Sequence, residues 1–262
     1  TDEGLVVDCP LQTVKLYRQL EYGMTSEEFD EDYVPFAGKS LGNGVTLGEQ
    51  VQTLLPYMFS NSGITSLKIP ATVEEIKDNA FYNCTTLASV RFEAGSEPLT
   101  IGFQPGSNER GPFYQSPLTN IYVNRELVAS AAYATARDQK DEGIFSTPSN
   151  NRKVTVTLQG NVNTISDYMF SGVQMQTIWI PQEVTSIGKS AFNGCSQLYG
   201  VTLAHPAPPT LGKDAFDGTL LQDKDESRWI ALEVGTEANI KAFKEAENWS
   251  EYADIIKAQI KK

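Results

Sequence analysis

The stretch IPATVEEIKDNAFYNCTTLASVRF, Ile69–Phe92, decides the fold, because it recurs without a gap as IPQEVTSIGKSAFNGCSQLYGVTL, Ile180–Leu203. Ile69-Pro70 matches Ile180-Pro181, Ala80-Phe81 matches Ala191-Phe192, and Cys84 matches Cys195. The match extends upstream, where Val45-Thr46-Leu47 corresponds to Val156-Thr157-Leu158 and Tyr57-Met58-Phe59-Ser60 to Tyr168-Met169-Phe170-Ser171. Chance does not hold such a register. The chain contains a duplicated block.

Each block is periodic in turn. Val51, Leu54 and Phe59 recur as Val73, Ile76 and Phe81, a spacing of about 22–23 residues, within the range of leucine-rich repeats. The third cycle is stretched by GFQPGSNERG, residues 102–111, and then resumes with Phe113, Leu118, Ile121 and Val123. Block two resumes likewise through Leu211, Phe216, Ile230, Leu232 and Val234.

Within one cycle, Ile64, Leu67 and Ile69 place apolar side chains on one side of a short strand, which Pro70 ends. Val73 and Ile76 point to the core from a second extended stretch. Ala80-Phe81 predicts a tight helical turn, with Phe81 filling the core and small Cys84 closing it. No single cycle buries its own apolar face, but stacked cycles do. The expected fold is therefore α/β and β-rich: a right-handed leucine-rich repeat solenoid of short parallel strands with terminal helical segments.

Three regions follow. Residues 1–44 read as the tail of a preceding unit or an N-terminal cap, since Val7, Leu11 and Tyr17 share the spacing of Val123, Leu127 and Tyr133. Residues 45–150 and 151–262 read as the two blocks, each with a closing helix. The segments after Val123 and after Val234 are rich in helix formers, with Ile240, Phe243 and Trp249 at roughly helical spacing.

The 262 residues carry a net charge of −12, which repels nucleic-acid phosphates and anionic lipid headgroups. No apolar run approaches membrane-spanning length. The residues from Thr1 onward have no signal-peptide pattern, as expected of a mature chain whose leader is gone. Three cysteines, Cys9, Cys84 and Cys195, form neither a disulfide framework nor a CxxC metal site. Cys84 and Cys195 are expected to be small core residues, because they are duplicated with their scaffold, whereas Cys9 lies outside the repeat.

Catalytic chemistry has few footholds. The sole histidine, His205, would have to serve any Ser-His-Asp, Cys-His or His-metal site. Its proline-rich surroundings predict a solvated loop instead. The acidic run at 27–32 lacks the glycine and spacing of an EF-hand, and GKSLGNG lacks the spacing of a phosphate loop. The sequons at Asn83 and Asn248 are read as coincidental. No cofactor and no metal are expected.

The outward strand positions are more informative. A residue between two inward-facing ones must point away from the core, which selects Lys68, Arg91, Tyr122, Trp179, Thr202 and Glu233, with Thr177 beside Trp179. Trp and Tyr recur at binding hot spots. Trp179 is thus either a contact residue or a side chain packed over a neighbouring rung.

The isoleucine-proline strand end, valine-isoleucine pair, alanine-phenylalanine turn and following cysteine of the two quoted stretches resemble the BspA-like class of leucine-rich repeats. ENWSEYADI, in the closing segment, is similar to the terminal element of such proteins. The resemblance covers roughly 45–123 and 154–234; the stretched third cycle and residues 1–44 depart from it. It implies a non-catalytic, secreted or surface-anchored protein of a host-associated anaerobic bacterium, its signal or lipoprotein anchor removed. The implied role is adhesion through a protein or extracellular-matrix ligand, with a glycan as the alternative partner.

Overall fold

The computed structural model describes residues 11–21, 34, 36–102, 111–130, 144–145, 152–223 and 225–259. Two rows of short parallel strands stack along it, as the alternation at the start of each cycle predicts. The front row holds β1 (Val14–Leu16), β2 (Val45–Leu47), β4 (Ser66–Ile69), β6 (Ser89–Phe92) and β8 (Asn120–Val123). It continues with β10 (Thr155–Leu158), β12 (Thr177–Ile180), β14 (Gly200–Leu203), β16 (Trp229–Leu232) and β17 (Ile256–Ala258). The back row holds β3 (Thr53–Leu54), β5 (Glu75–Ile76), β7 (Leu99–Ile101), β9 (Leu127–Ala129), β11 (Thr164–Ile165), β13 (Ser186–Ile187) and β15 (Thr210–Leu211).

Pairing keeps equivalent residues level. Leu67, Val90, Ile121 and Val156 are register partners on β4, β6, β8 and β10, and all are buried. Because β8 pairs directly with β10, the solenoid runs unbroken from the first block into the second. β10 and β12 then lie side by side, where the Val154 N–H donates to the Gln174 carbonyl at 2.9 Å.

The third side of each cycle is a turn, and here the structure corrects the expectation of a helical turn. Asn79 and Asn83, flanking Phe81, have φ of 54° and 51°; Ser190 and Gly194, flanking Phe192, have 51° and 68°. A left-handed residue on each side prevents a right-handed helix from propagating. The turn's N–H groups are satisfied by the next cycle instead: Phe59 donates to the Ala80 carbonyl, Phe81 to Pro112 and Phe192 to Ala215, each at 2.8 Å.

These turns align a column of phenylalanines along the core. Phe36, Phe59, Phe81, Phe113, Phe145, Phe170, Phe192 and Phe216 follow one another with ring centroids 5.2 to 5.8 Å apart. Phe145 stands between Phe113 of the first block and Phe170 of the second, so the column crosses the junction.

The ends differ from each other. After Val123 the chain forms strand β9 rather than entering a helix, because Leu127 is buried and pairs back onto β7. The rest of that predicted helix, 131–143, lies outside the described residues. After Val234 the predicted helix is present as α1 (Glu237–Glu245), with a capping box between Thr236 and Asn239. It buries Phe243, and the chain then returns as β17 to pair with β16. Near the other end, β1 pairs with β2, while Val7, Cys9, the acidic run 27–32 and Tyr133 lie outside the described residues. Among the described residues no helix is long and apolar enough to cross a membrane.

Candidate binding face

Strand alternation holds one line of side chains outward along the middle of the front row. Lys15 and Thr46 are register partners on β1 and β2. Lys68, Arg91, Tyr122 and Thr157 are partners on β4 to β10. Trp179, Thr202, Ala231 and Lys257 are partners on β12 to β17. Five of the six proposed contact residues, Lys68, Arg91, Tyr122, Trp179 and Thr202, therefore share this line, and Thr177 occupies the next outward position on β12.

Glu233 does not belong to the line. Ala231 is the register partner of Thr202, and Glu233 follows the end of β16. The sequence reading extended the alternation through Val234, which is in fact 42% exposed, so the inward pattern stops at Leu232. Glu233 nevertheless reaches the face: its carboxylate accepts a 2.9 Å hydrogen bond from the Trp179 indole N–H. Trp179, 44% exposed, is thus both solvent-facing and anchored across β14. Farther along, the Arg91 guanidinium sits 4.3 Å above the Tyr122 ring, a cation–π contact that limits where the charge can move.

Trp229 was missed by the sequence reading, although it stands one residue before Ile230 in the alternation. Its indole covers Gly200 so closely that a Cβ there would lie 2.5 Å from two ring atoms. Tyr199 meets the same indole edge-on at 5.0 Å.

His205 overturns its prediction. It is only 4% exposed, and its Nε2 is 2.6 Å from the Val184 carbonyl. Since a carbonyl only accepts, Nε2 carries the proton. Burial lowers its pKa, opposed by the Val184 hydrogen bond and by Glu183. The first-block residue that aligns with His205 is Ala94; Arg125 stands at the like place one cycle later, two positions beyond the end of β8 as His205 is beyond β14. Arg125 is fully buried and donates to the carbonyls of Val73, Ala71, Pro70 and Glu97. Val73 and Val184 are themselves equivalent, so both side chains tie a strand end to a like place on an earlier cycle, His205 one cycle back and Arg125 two. The periodicity gave no sign of it, because Arg and His share no apolar pattern.

Cys84 and Cys195 are structural. The Cys84 thiol donates to the Phe59 carbonyl at 2.9 Å and the Cys195 thiol to Phe170 at 3.1 Å. Burial pushes their pKa values up to about 11 and about 12, away from thiolate chemistry. Both are free and buried, as their duplication predicts. Among the described residues no group of three or more histidine, cysteine, aspartate or glutamate side chains could hold a metal ion.

The BspA type leucine rich repeat region matches residues 34–135 and 141–225, in six copies. The chain is similar to a leucine-rich repeat protein of Bacteroides ovatus, with 20% identity, a TM-score of 0.47, and coverage of 82% of this chain and 49% of that one. It is also similar to a leucine-rich cell surface protein of Faecalibacterium prausnitzii, with 29% identity, a TM-score of 0.32, and coverage of 61% and 45%. The pneumococcal vaccine antigen PcpA is a third similar structure, at 14% identity and a TM-score of 0.32, with coverage of 86% and 75%. The chain spans about half the length of the first two. No curated protein matches it. The six-copy match covers most of the sequence, and the two strand rows supply the repeat architecture: the chain belongs to the BspA type leucine-rich repeat family.

Proposed function

We propose that this chain is a non-catalytic binding module of a secreted or surface-exposed bacterial protein, and that it adheres to a protein or extracellular-matrix ligand through its front face. The observation that carries this reading is Trp179, exposed on a strand lattice and oriented by Glu233. A large aromatic already fixed in place loses little conformational entropy when a partner covers it.

A glycan partner is the second reading. It is favoured by Trp229, whose half-buried indole covers Gly200 and offers the kind of flat apolar surface on which sugar rings stack.

The test is adsorption of the whole chain to an immobilised extracellular-matrix coat, with parent and Trp179→Ala compared. Trp179→Ala should reduce binding at least tenfold, about 1.4 kcal/mol, with melting nearly unchanged because the side chain is outside the core. Protease treatment of the coat should abolish binding and periodate treatment should spare it; the reverse favours the glycan. Equal binding by parent and variant would sink the choice of face.

A further inference from the structure

The central outward line of the front row has a charge pattern opposite to that of the molecule. Lys15, Lys68, Arg91 and Lys257 stand in it with no carboxylate, although the chain carries −12 overall. On the front row, acidic residues stand past the strand ends, Glu93 after β6 and Glu233 after β16; others lie off it, Glu75 on the back strand β5, and Asp167, Asp214 and Asp217 in or beside the turns. Neither Lys68 nor Arg91 is in a salt bridge among the described residues. The two are direct register partners, so their Cα atoms stand about 4.8 Å apart. Like charges held side by side, with neither in a salt bridge, repel, and an anion placed between them relieves that repulsion.

We infer that the Lys68–Arg91–Tyr122 part of the face docks an acidic peptide segment of the protein partner, with Arg91 as its carboxylate-binding group. The Tyr122 ring under the guanidinium restricts Arg91 while leaving the edge N–H groups to donate in pairs to a carboxylate. Lys68, exposed beside it, adds a second positive charge. The outward positions at the starts of these strands, Ser66, Ser89, Asn120 and Thr155, are uncharged and can hydrogen-bond, which leaves that side of the cations open to a carboxylate while Glu93 lies past the other end of β6. The size of the patch selects a peptide over a long polyanion. Nucleic acid or a sulfated polysaccharide carries charge along its whole length and meets the acidic remainder of the chain, whereas a short acidic segment is confined within about one Debye length of the cations, roughly 8 Å at physiological salt.

This inference rests on the proposed use of the front face. Its test uses a fluorescein-labelled octaglutamate peptide and the whole chain, read by fluorescence anisotropy at low salt. The peptide should bind, and raising the salt to about physiological strength should weaken it. The double variant Lys68→Gln/Arg91→Gln should weaken binding at least tenfold, while Lys213→Gln/Lys241→Gln, changed off the face, should not. Tyr122→Leu, which keeps both cations but removes the ring beneath Arg91, should give an intermediate loss with an unchanged melt. Equal binding by the parent and the Lys68/Arg91 double variant would overturn the inference, as would an equal loss in the off-face variant. Tighter binding of dextran sulfate than of octaglutamate would overturn the choice of peptide. Matrix adsorption that survives Trp179→Ala defeats the wider reading independently of the peptide result.

Discussion

At the residue scale, His205 and Arg125 show one position of the repeat solving one problem with two side chains. Between a front strand and the following back strand, the carbonyls of Pro70, Ala71, Val73, Glu97 and Val184 face these side chains, and an unsatisfied buried carbonyl costs about 1–3 kcal/mol. Arg125 satisfies four of them with its forked donors, which Lys could not reproduce. His205 satisfies one, Val184, and its buried Nδ1 has no partner. A second proton at Nδ1 would therefore be a buried donor with nowhere to go, consistent with a pKa lowered from 6.5, first by burial. Below 6.5 the unfolded chain takes up this proton before the folded chain does, so the stability contribution is full above 6.5 and is lost as pH falls through the folded value. Urea midpoints taken between about pH 8 and 5 should fall more steeply for the parent than for His205→Gln, which keeps a donor but does not titrate. Parallel curves would show that His205 takes up its proton equally in the folded and unfolded chain and is not linked to folding.

At the element scale, the turn that carries each core phenylalanine is defined by its flanks. For Phe59, Phe81, Phe170, Phe192 and Phe216 the residues two before and two after the ring lie in the left-handed region, occupied by Asn, Ser, Asp, Tyr or Gly, while Phe36 and Phe113 have one only after the ring, Gly38 and Gln115. The backbone N–H groups of Asn61, Asn83, Tyr168, Gly172, Ser190 and Gly194 bond to carbonyls of the next cycle, so these turns are complete only when stacked. That makes the phenylalanine column the energetic spine, with each ring in contact with one before and one after. Phe192→Ala removes both stacks, with Phe170 at 5.7 Å and Phe216 at 5.3 Å, and leaves a cavity between them. It should cost about 3–5 kcal/mol in urea denaturation. Phe192→Leu, which keeps most of the volume, should cost clearly less. A melt of Phe192→Ala indistinguishable from the parent would contradict the column's role.

At the scale of the whole molecule, a solenoid is stabilised by nearest-neighbour interfaces and needs its end cycles covered. The C-terminal cover consists of three contacts made by one segment. β17 pairs with β16, Trp249 packs on Phe216 at 6.1 Å, and the side chains of Asn248 and Trp249 donate to the carbonyls of Leu211 and Pro209. Deleting residues 236–262 strips all three at once, exposing a strand edge and an aromatic core face. The truncated chain should elute as aggregate in size-exclusion chromatography with light scattering, while the parent should not. A soluble, monodisperse truncation would show that the last cycle needs no cover. At the other end a single side chain works in the same way: Gln19 mimics a strand, its Oε1 accepting from Gln52 and Thr53 N–H and its Nε2 donating to the Thr53 carbonyl.

The duplicated stretches were enough to establish the repeat, the inward positions, the burial of Cys84 and Cys195, and the line holding Lys68, Arg91, Tyr122, Trp179 and Thr202. All of these depend on local alternation and period, which a linear sequence displays directly. Contacts that reach between cycles were decided only in three dimensions. Phe145 joined the core column by seating between Phe113 and Phe170 where the two blocks meet, and Trp229 lay over Gly200 because β14 and β16 are neighbours. His205 and Arg125 went inside because carbonyls on earlier cycles needed donors, and Glu233 reached Trp179 across an intervening strand. No spacing in the sequence encodes these meetings, since the residues involved come from separate cycles and are brought together by the stacking itself.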